Sequence, residues 1–218
     1  MRIVAHGVLF LFGIAAYGAL VAGIRTDLGI LVRLPVVLLI GFVSVLFHEL
    51  GHASAVTALG GRVHRIVVLP LMWDSATRRV ALAPAIPGGE VGGYVSYTLD
   101  TINARRKRIW IALAGPAADA AVFLATLLAL ALLASAVQPS TDLAPVIMPS
   151  DGSSARLPFE AALKAAATER PINLDWLSAC LTALGLTSIG AGVANLLPFQ
   201  GSDGHHILRN LRRRRQSP

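Results

Sequence analysis

Charge is scarce in this chain. Asp, Glu, Lys and Arg make up 14% of its 218 residues, where a soluble domain carries about a quarter. That shortage excludes an ordinary soluble globule, and a disordered segment would need more charge still. Acidic groups are the scarcer kind, 12 against 19 basic ones, for a net charge of +7. Cysteine is almost missing. The single Cys180 lies within an apolar run, which excludes a disulfide framework and a multi-cysteine zinc cluster within one chain. Internal repeats and a second domain are also lacking. What the chain has instead is apolar bulk: 55% of residues are hydrophobic and the mean hydropathy is +0.65. The expectation is a small integral membrane protein, one domain over 1–218.

Four apolar runs organise it, at 3–24, 34–59, 109–137 and 174–197. Each reaches the roughly 20 residues that a helix needs to cross hydrocarbon. Only helices and closed barrels satisfy their backbone there, so the predicted fold class is all-α with about four transmembrane helices. The first run is long for a signal peptide and no small-x-small cleavage site follows it before Arg25, so a retained span is expected. Basic residues are uneven between the two sides. Arg2, eight residues of the 60–108 loop and five after the fourth run make fourteen on one side. Arg25, Arg33, Arg156, Lys164 and Arg170 make five on the other. The positive-inside rule then places both termini in the cytoplasm and the loop 138–173 outside, with a short alanine-rich helix at 159–170. The clustering beside apolar runs speaks for topology and lipid headgroups, with no nucleic-acid partner. Arg212, Arg213, Arg214 and Arg215 are read as an anchor against the anionic inner leaflet. Trp110 and Trp176 stand at the entrances of the third and fourth runs, where interfacial tryptophans belong.

The cytoplasmic loop 60–108 reads differently. Residues 65–69 and 80–83 are strand-like, and Pro84, Pro87, Gly88 and Gly89 mark a turn. Gly92, Gly93, Tyr94, Val95, Ser96 and Tyr97 form another extended piece. The loop is apolar for a solvent-facing segment, which predicts a small β-hairpin or sheet lying against the membrane or re-entering it.

Chemistry concentrates at the end of the second run. His48-Glu49-Leu50-Gly51-His52 is HExxH. Residues four apart share a helix face, so both imidazoles can reach one metal ion, with Glu49 beside them as a base for an attacking water. Three ionisable side chains within five residues of an apolar run need a shared reason, and a bound cation supplies one. The bland alternative is a helix end whose polar residues emerge at the interface. A catalytic zinc needs a third protein ligand and an open position. Asp203, His205 and His206 all follow the break of the fourth run, on the side where the second run ends. Histidine is the better zinc ligand on chemistry alone, and Asp203 stands first after the break. A further acid, Asp119, follows Ala114-Gly115-Pro116-Ala117-Ala118 in the third run, with the proline in the first turns. It is a candidate to support a ligand, to orient water or to cap a backbone break.

HELGH in an early span, AGPAAD in a later one and NLLPFQGSDG at the end of the last together resemble the site-2 protease family, over roughly residues 34–208. The resemblance implies an intramembrane zinc metalloendopeptidase with one Zn2+ per chain. It implies His48, His52 and Asp203 as ligands, Glu49 as catalytic acid/base and Asn195 as a polar residue near the scissile bond. Gly92, Gly93, Tyr94 and Val95 are similar to the family's membrane-associated β-hairpin, which implies a segment that binds substrate as an added strand. Its substrates would be membrane-spanning proteins, cut near the cytoplasmic side. The family usually has Asn where this chain has Asp119, so that residue's role does not carry over. No PDZ insertion or nucleotide-binding regulatory domain is visible. Rich Ala, Arg and Gly usage suggests a GC-rich bacterium, hence a multi-pass protein of a bacterial cell membrane. Two other readings stand beside the protease: an inactive relative that binds membrane proteins, and a metal-dependent transporter, against which the lack of paired broken helices and repeats speaks. Substrate, adaptor and homo-oligomeric state are not written in the sequence.

Overall fold

The computed structural model describes residues 2–23, 29–84, 92–136 and 174–212. The elements run α1 (Arg2–Gly23), α2 (Ile30–Ala58), β1 (Arg62–Val68), β2 (Leu71–Asp74), β3 (Arg79–Leu82), β4 (Gly93–Thr98), α3 (Ala104–Ala136), α4 (Leu174–Leu196) and α5 (Asp203–Arg212). Helices α1 to α4 are each long and apolar enough to cross a membrane. The loop 138–173, its expected helix at 159–170, and the turn residues Pro87, Gly88 and Gly89 lie outside the described residues.

Two helices are longer than their apolar runs. α2 begins at Ile30 and carries Arg33 and Pro35 within it. α3 begins at Ala104 and carries the basic residues 105–108 as its first turn. Pro116 is therefore not in the first turns, as expected, but inside α3. Its missing N–H deprives the Ala112 carbonyl of its helical partner, a loss that packed membrane helices tolerate.

The helices bury small residues against one another and show large ones to lipid. Ala16, Leu20, Ile40, Ala179 and Ala183 form a buried cluster joining α1, α2 and α4, and Trp176 packs against it. Phe10, Leu11, Leu38, Leu39, Leu128 and Leu132 are exposed. So much exposed apolar surface would aggregate in water, and in a bilayer it has its solvent. Ser44 and Ser188, both buried, share a hydrogen bond of 3.1 Å that ties α2 to α4 one turn before His48.

The loop 60–108 forms an antiparallel sheet of order β3-β2-β1-β4. The expected strands are present. β2 was missed, since its four residues between Pro70 and the turn at 75–78 offer too little alternation to read. Leu71 pairs with both Val68 and Leu82, which makes β2 the link between the two expected strands. The opposite edge is β4, paired to β1 alone with a bulge between Val63 and Arg65. Val67 and Val68 of β1 are buried, and both β1 and β4 lie against α2.

Candidate metal centre

The site forms where the ends of α2 and α4 meet the start of α5, against the first third of α3. α4 stops at Leu196, because Pro198 cannot continue it. Gly201 then turns the chain with a φ of 94°, in the left-handed region that favours glycine. Ser202 is buried and caps α5: its hydroxyl accepts the His205 N–H at 3.2 Å and donates to the Leu197 or Phe199 carbonyl. Asp203 is thus the first residue of a helix, where the helix dipole favours a carboxylate. At the other end of α5, Arg105 of α3 donates to the carbonyls of Asn210 and Leu211. The expected topological charge is therefore also a clamp that docks α5 on α3.

Asp203 faces the HExxH histidines. His48 Nε2 lies 3.1 Å from His52 Nε2 and 3.2 Å from Asp203 Oδ2, and His52 Nε2 lies 3.4 Å from Asp203 Oδ1. A tetrahedral zinc ion with bonds of about 2.0–2.1 Å keeps its ligand atoms roughly 3.3 Å apart. The two nitrogens and the carboxylate are spaced on that scale, and one ligand atom from each of the three residues lies within 4.8 Å of the others. The far sides of both rings are fixed from α3. His48 Nδ1–H donates to Asp119 Oδ2 at 2.7 Å, and His52 Nδ1–H donates to the Ile111 carbonyl at 2.7 Å. Both acceptors demand the N–H on Nδ1, which leaves both Nε2 atoms as lone pairs beside a carboxylate. Only positive charge at the centre reconciles them, either protons or one divalent ion. Burial by itself would raise the Asp203 carboxyl, but the hydrogen bonds and charges of the two imidazoles hold it below its ordinary value, as a ligand requires.

α3 reaches this close because Gly115 has no side chain. A Cβ there would lie 2.6 Å from His48 Nε2 and 2.5 Å from His52 Nε2. Ile111, Gly115 and Asp119 are spaced by four, so a carbonyl, a gap and a carboxylate line one face of α3. Gly115 and the Ile111 carbonyl escaped the sequence reading. The first left a trace in the Gly-Pro pair, and the second is backbone and left none.

A cavity of about 260 Å³ opens beside His48, His52 and Asp203. Glu49, 6% exposed, lines it, as do Asn195, Gly93, Tyr94 and Val95. Asn195 Nδ2 is 3.4 Å from His48 Nε2. Gly92 lies just beyond the lining, toward Val45. At Gly93 a Cβ would meet Glu49 Cγ and Oε1 at 3.0 Å and the Val67 carbonyl at 2.5 Å. Tyr97, Arg108, His206 and Asn210 complete the polar end, where burial pushes the Tyr97 phenol up. His206 thus borders the cavity, but among the described residues neither it nor His205 joins the group that could hold a metal, which is His48, His52 and Asp203.

The family model for peptidase family M50 matches residues 36–218. No curated protein and no solved structure matches the chain.

Proposed function

Because this chain belongs to peptidase family M50, the intramembrane metalloproteases, we propose that it is a zinc endopeptidase cutting membrane-spanning proteins near the cytoplasmic end of their spans. In this reading residues 1–218 form one membrane-embedded protease domain. His48, His52 and Asp203 hold the ion, and Glu49 and Asn195 face the scissile bond. The observation that carries the proposal is the meeting of the two Nε2 atoms, 3.1 Å apart, with the Asp203 carboxylate, whose two oxygens lie 3.2 and 3.4 Å from them, beside the cavity that Glu49 lines. Bound there, zinc supplies a Lewis acid that polarises a peptide carbonyl and acidifies water.

The chain's own residues do the rest. Glu49 takes a proton from the attacking water and returns it to the leaving amine. Asn195, at the end of α4, offers an amide N–H to the oxygen on which charge develops. Substrate must arrive extended, since a helix hides its peptide bonds in its own hydrogen bonds. β4 has one edge paired to β1, and Gly93, Tyr94 and Val95 of that strand line the cavity. A substrate segment added along the other edge gains main-chain hydrogen bonds as it unwinds. Gly92 and Gly93 keep that path free of side chains. Helix-breaking residues near the cut should speed cleavage for the same reason.

The test uses the purified protein in lipid vesicles with a single-span substrate. A chelator should stop cleavage and added zinc should restore it. Asp203→Ala should lose both zinc and cleavage, while His205→Ala and His206→Ala keep their zinc. Full zinc occupancy in Asp203→Ala would overturn the ligand set. Zinc-dependent uptake of metal into the vesicles, without cleavage, would favour a transporter.

The orientation proposed for this multi-pass protein follows from the basic residues and places both termini in the cytoplasm and the site toward that side of the membrane. A cysteine introduced at Ser153 should react with an impermeant thiol reagent added outside intact bacterial cells, and one at Ser217 should not. The reverse pattern would sink the topology.

A further inference from the structure

Asp119 is wholly buried, 0% exposed, in the middle of a helix long and apolar enough to cross the bilayer. Its Oδ2 accepts from His48 Nδ1 at 2.7 Å, and its Oδ1 has no hydrogen-bond partner. A buried carboxylate costs several kcal/mol unless charge nearby compensates it. His48 alone, as a neutral imidazole, offers an N–H and no charge. His52 is held differently, by the uncharged Ile111 carbonyl at 2.7 Å. The two imidazoles thus have unequal supports on the same face of α3, and the charged one needs a cation beyond the ring it holds.

We propose that Asp119 is a positioning residue for the metal. It fixes the His48 ring with Nε2 aimed at the ion, and its carboxylate adds to the negative charge that Asp203 and Glu49 set around that ion. The inference rests on His48 being a zinc ligand. An amide at 119 would accept the same hydrogen bond without a charge, and so would hold the His48 N–H less strongly. Carboxylate support of a ligating histidine also raises the basicity of its other nitrogen, and its loss typically costs about 10- to 100-fold in metal affinity.

α4 contributes to the same device. A Cβ on Gly192 would stand 3.0 Å from Asp119 Cβ and 3.2 Å from its Oδ2. Gly192→Ala should therefore press on the carboxylate while leaving every ligand and Asp119 itself in place. At Gly41 of α2, by contrast, a Cβ would meet nothing within 4 Å.

Zinc affinity of the purified full-length protein, measured by competition with a chromogenic chelator, tests this. Asp119→Asn should bind zinc about 10-fold more weakly and Asp119→Ala about 100-fold more weakly. Gly192→Ala should fall between wild type and Asp119→Asn, and Gly41→Ala should match wild type. The visible spectrum of the cobalt-loaded protein should shift in Asp119→Asn, because the field of one ligand changes. The zinc-free unfolding temperature of that variant should not fall, which a merely structural role would require. Wild-type affinity and spectrum in Asp119→Asn would overturn the proposal. His48→Ala separates the two layers. If it loses zinc while the Asp119 variants keep it, the ligand set stands and this inference fails. If it keeps zinc, the ligand set itself fails and this inference with it.

Discussion

Gly115→Ala should abolish zinc binding and proteolysis together, although it removes no ligand. The added methyl carbon would sit 2.5 Å from His52 Nε2 and 2.6 Å from His48 Nε2, where carbon and nitrogen need about 3.5 Å. It would occupy the space in which the ion's bonds converge. The imidazoles cannot retreat, because Asp119 and the Ile111 carbonyl each hold an Nδ1–H from behind at 2.7 Å. Moving α3 away would open the close packing at Gly51 of α2, where a Cβ would lie only 2.5 Å from the Ala114 carbonyl oxygen. Metal analysis of the purified variant should find about a tenth of an equivalent of zinc or less, beside one in the wild type. The unfolding temperature in detergent, measured on the same sample, shows whether the bundle survives. Stoichiometric zinc in a folded Gly115→Ala protein would show that the ion does not sit between these helices.

Glu49→Gln should do the opposite to the metal and the same to the chemistry. The amide is close in shape and leaves the three ligand atoms untouched, so zinc content should stay near one equivalent. On the proposed mechanism it removes the group that carries the proton from water to the leaving amine, worth about 10²- to 10⁴-fold. Cells carrying Glu49→Gln in place of the wild type should accumulate uncut single-span proteins, which comparative membrane proteomics would identify as substrates. Gly93 belongs to the same part of the site. Its backbone lies against Glu49, so a side chain there has no room without moving the carboxylate. Retained cleavage in Glu49→Gln would mean that another group handles the proton.

These two substitutions also mark how far the sequence could be read. HExxH was legible because a helix obliges residues four apart to share a face, whatever surrounds it. The four spans were legible because a bilayer admits few ways to satisfy a backbone. Their ends were less so. α2 and α3 each begin several residues before their apolar runs, since a helix continues for as long as its hydrogen bonds have no better partner. Pro116 consequently lies inside α3. β2 was lost because strand patterns need length, and Leu71–Asp74 has four residues whose pairing to both neighbours is a tertiary fact.

By itself the sequence determined the membrane class, the span count, the histidine pair that shares a helix face and the family, through patterns that local geometry enforces. Spacing alone left Asp203, His205 and His206 competing, and the family resemblance favoured Asp203; three residues at a helix start point in different directions, so their geometry depends on the docking of α5. The Ser202 cap and the Arg105 clamp bring Asp203, and neither histidine, to the two Nε2 atoms. Likewise the sequence placed Asp119 and Gly115 on the third span without saying what they touch. Their contacts with His48 cross 71 and 67 positions of chain, and separations of that size are settled by packing between helices, which no local pattern records.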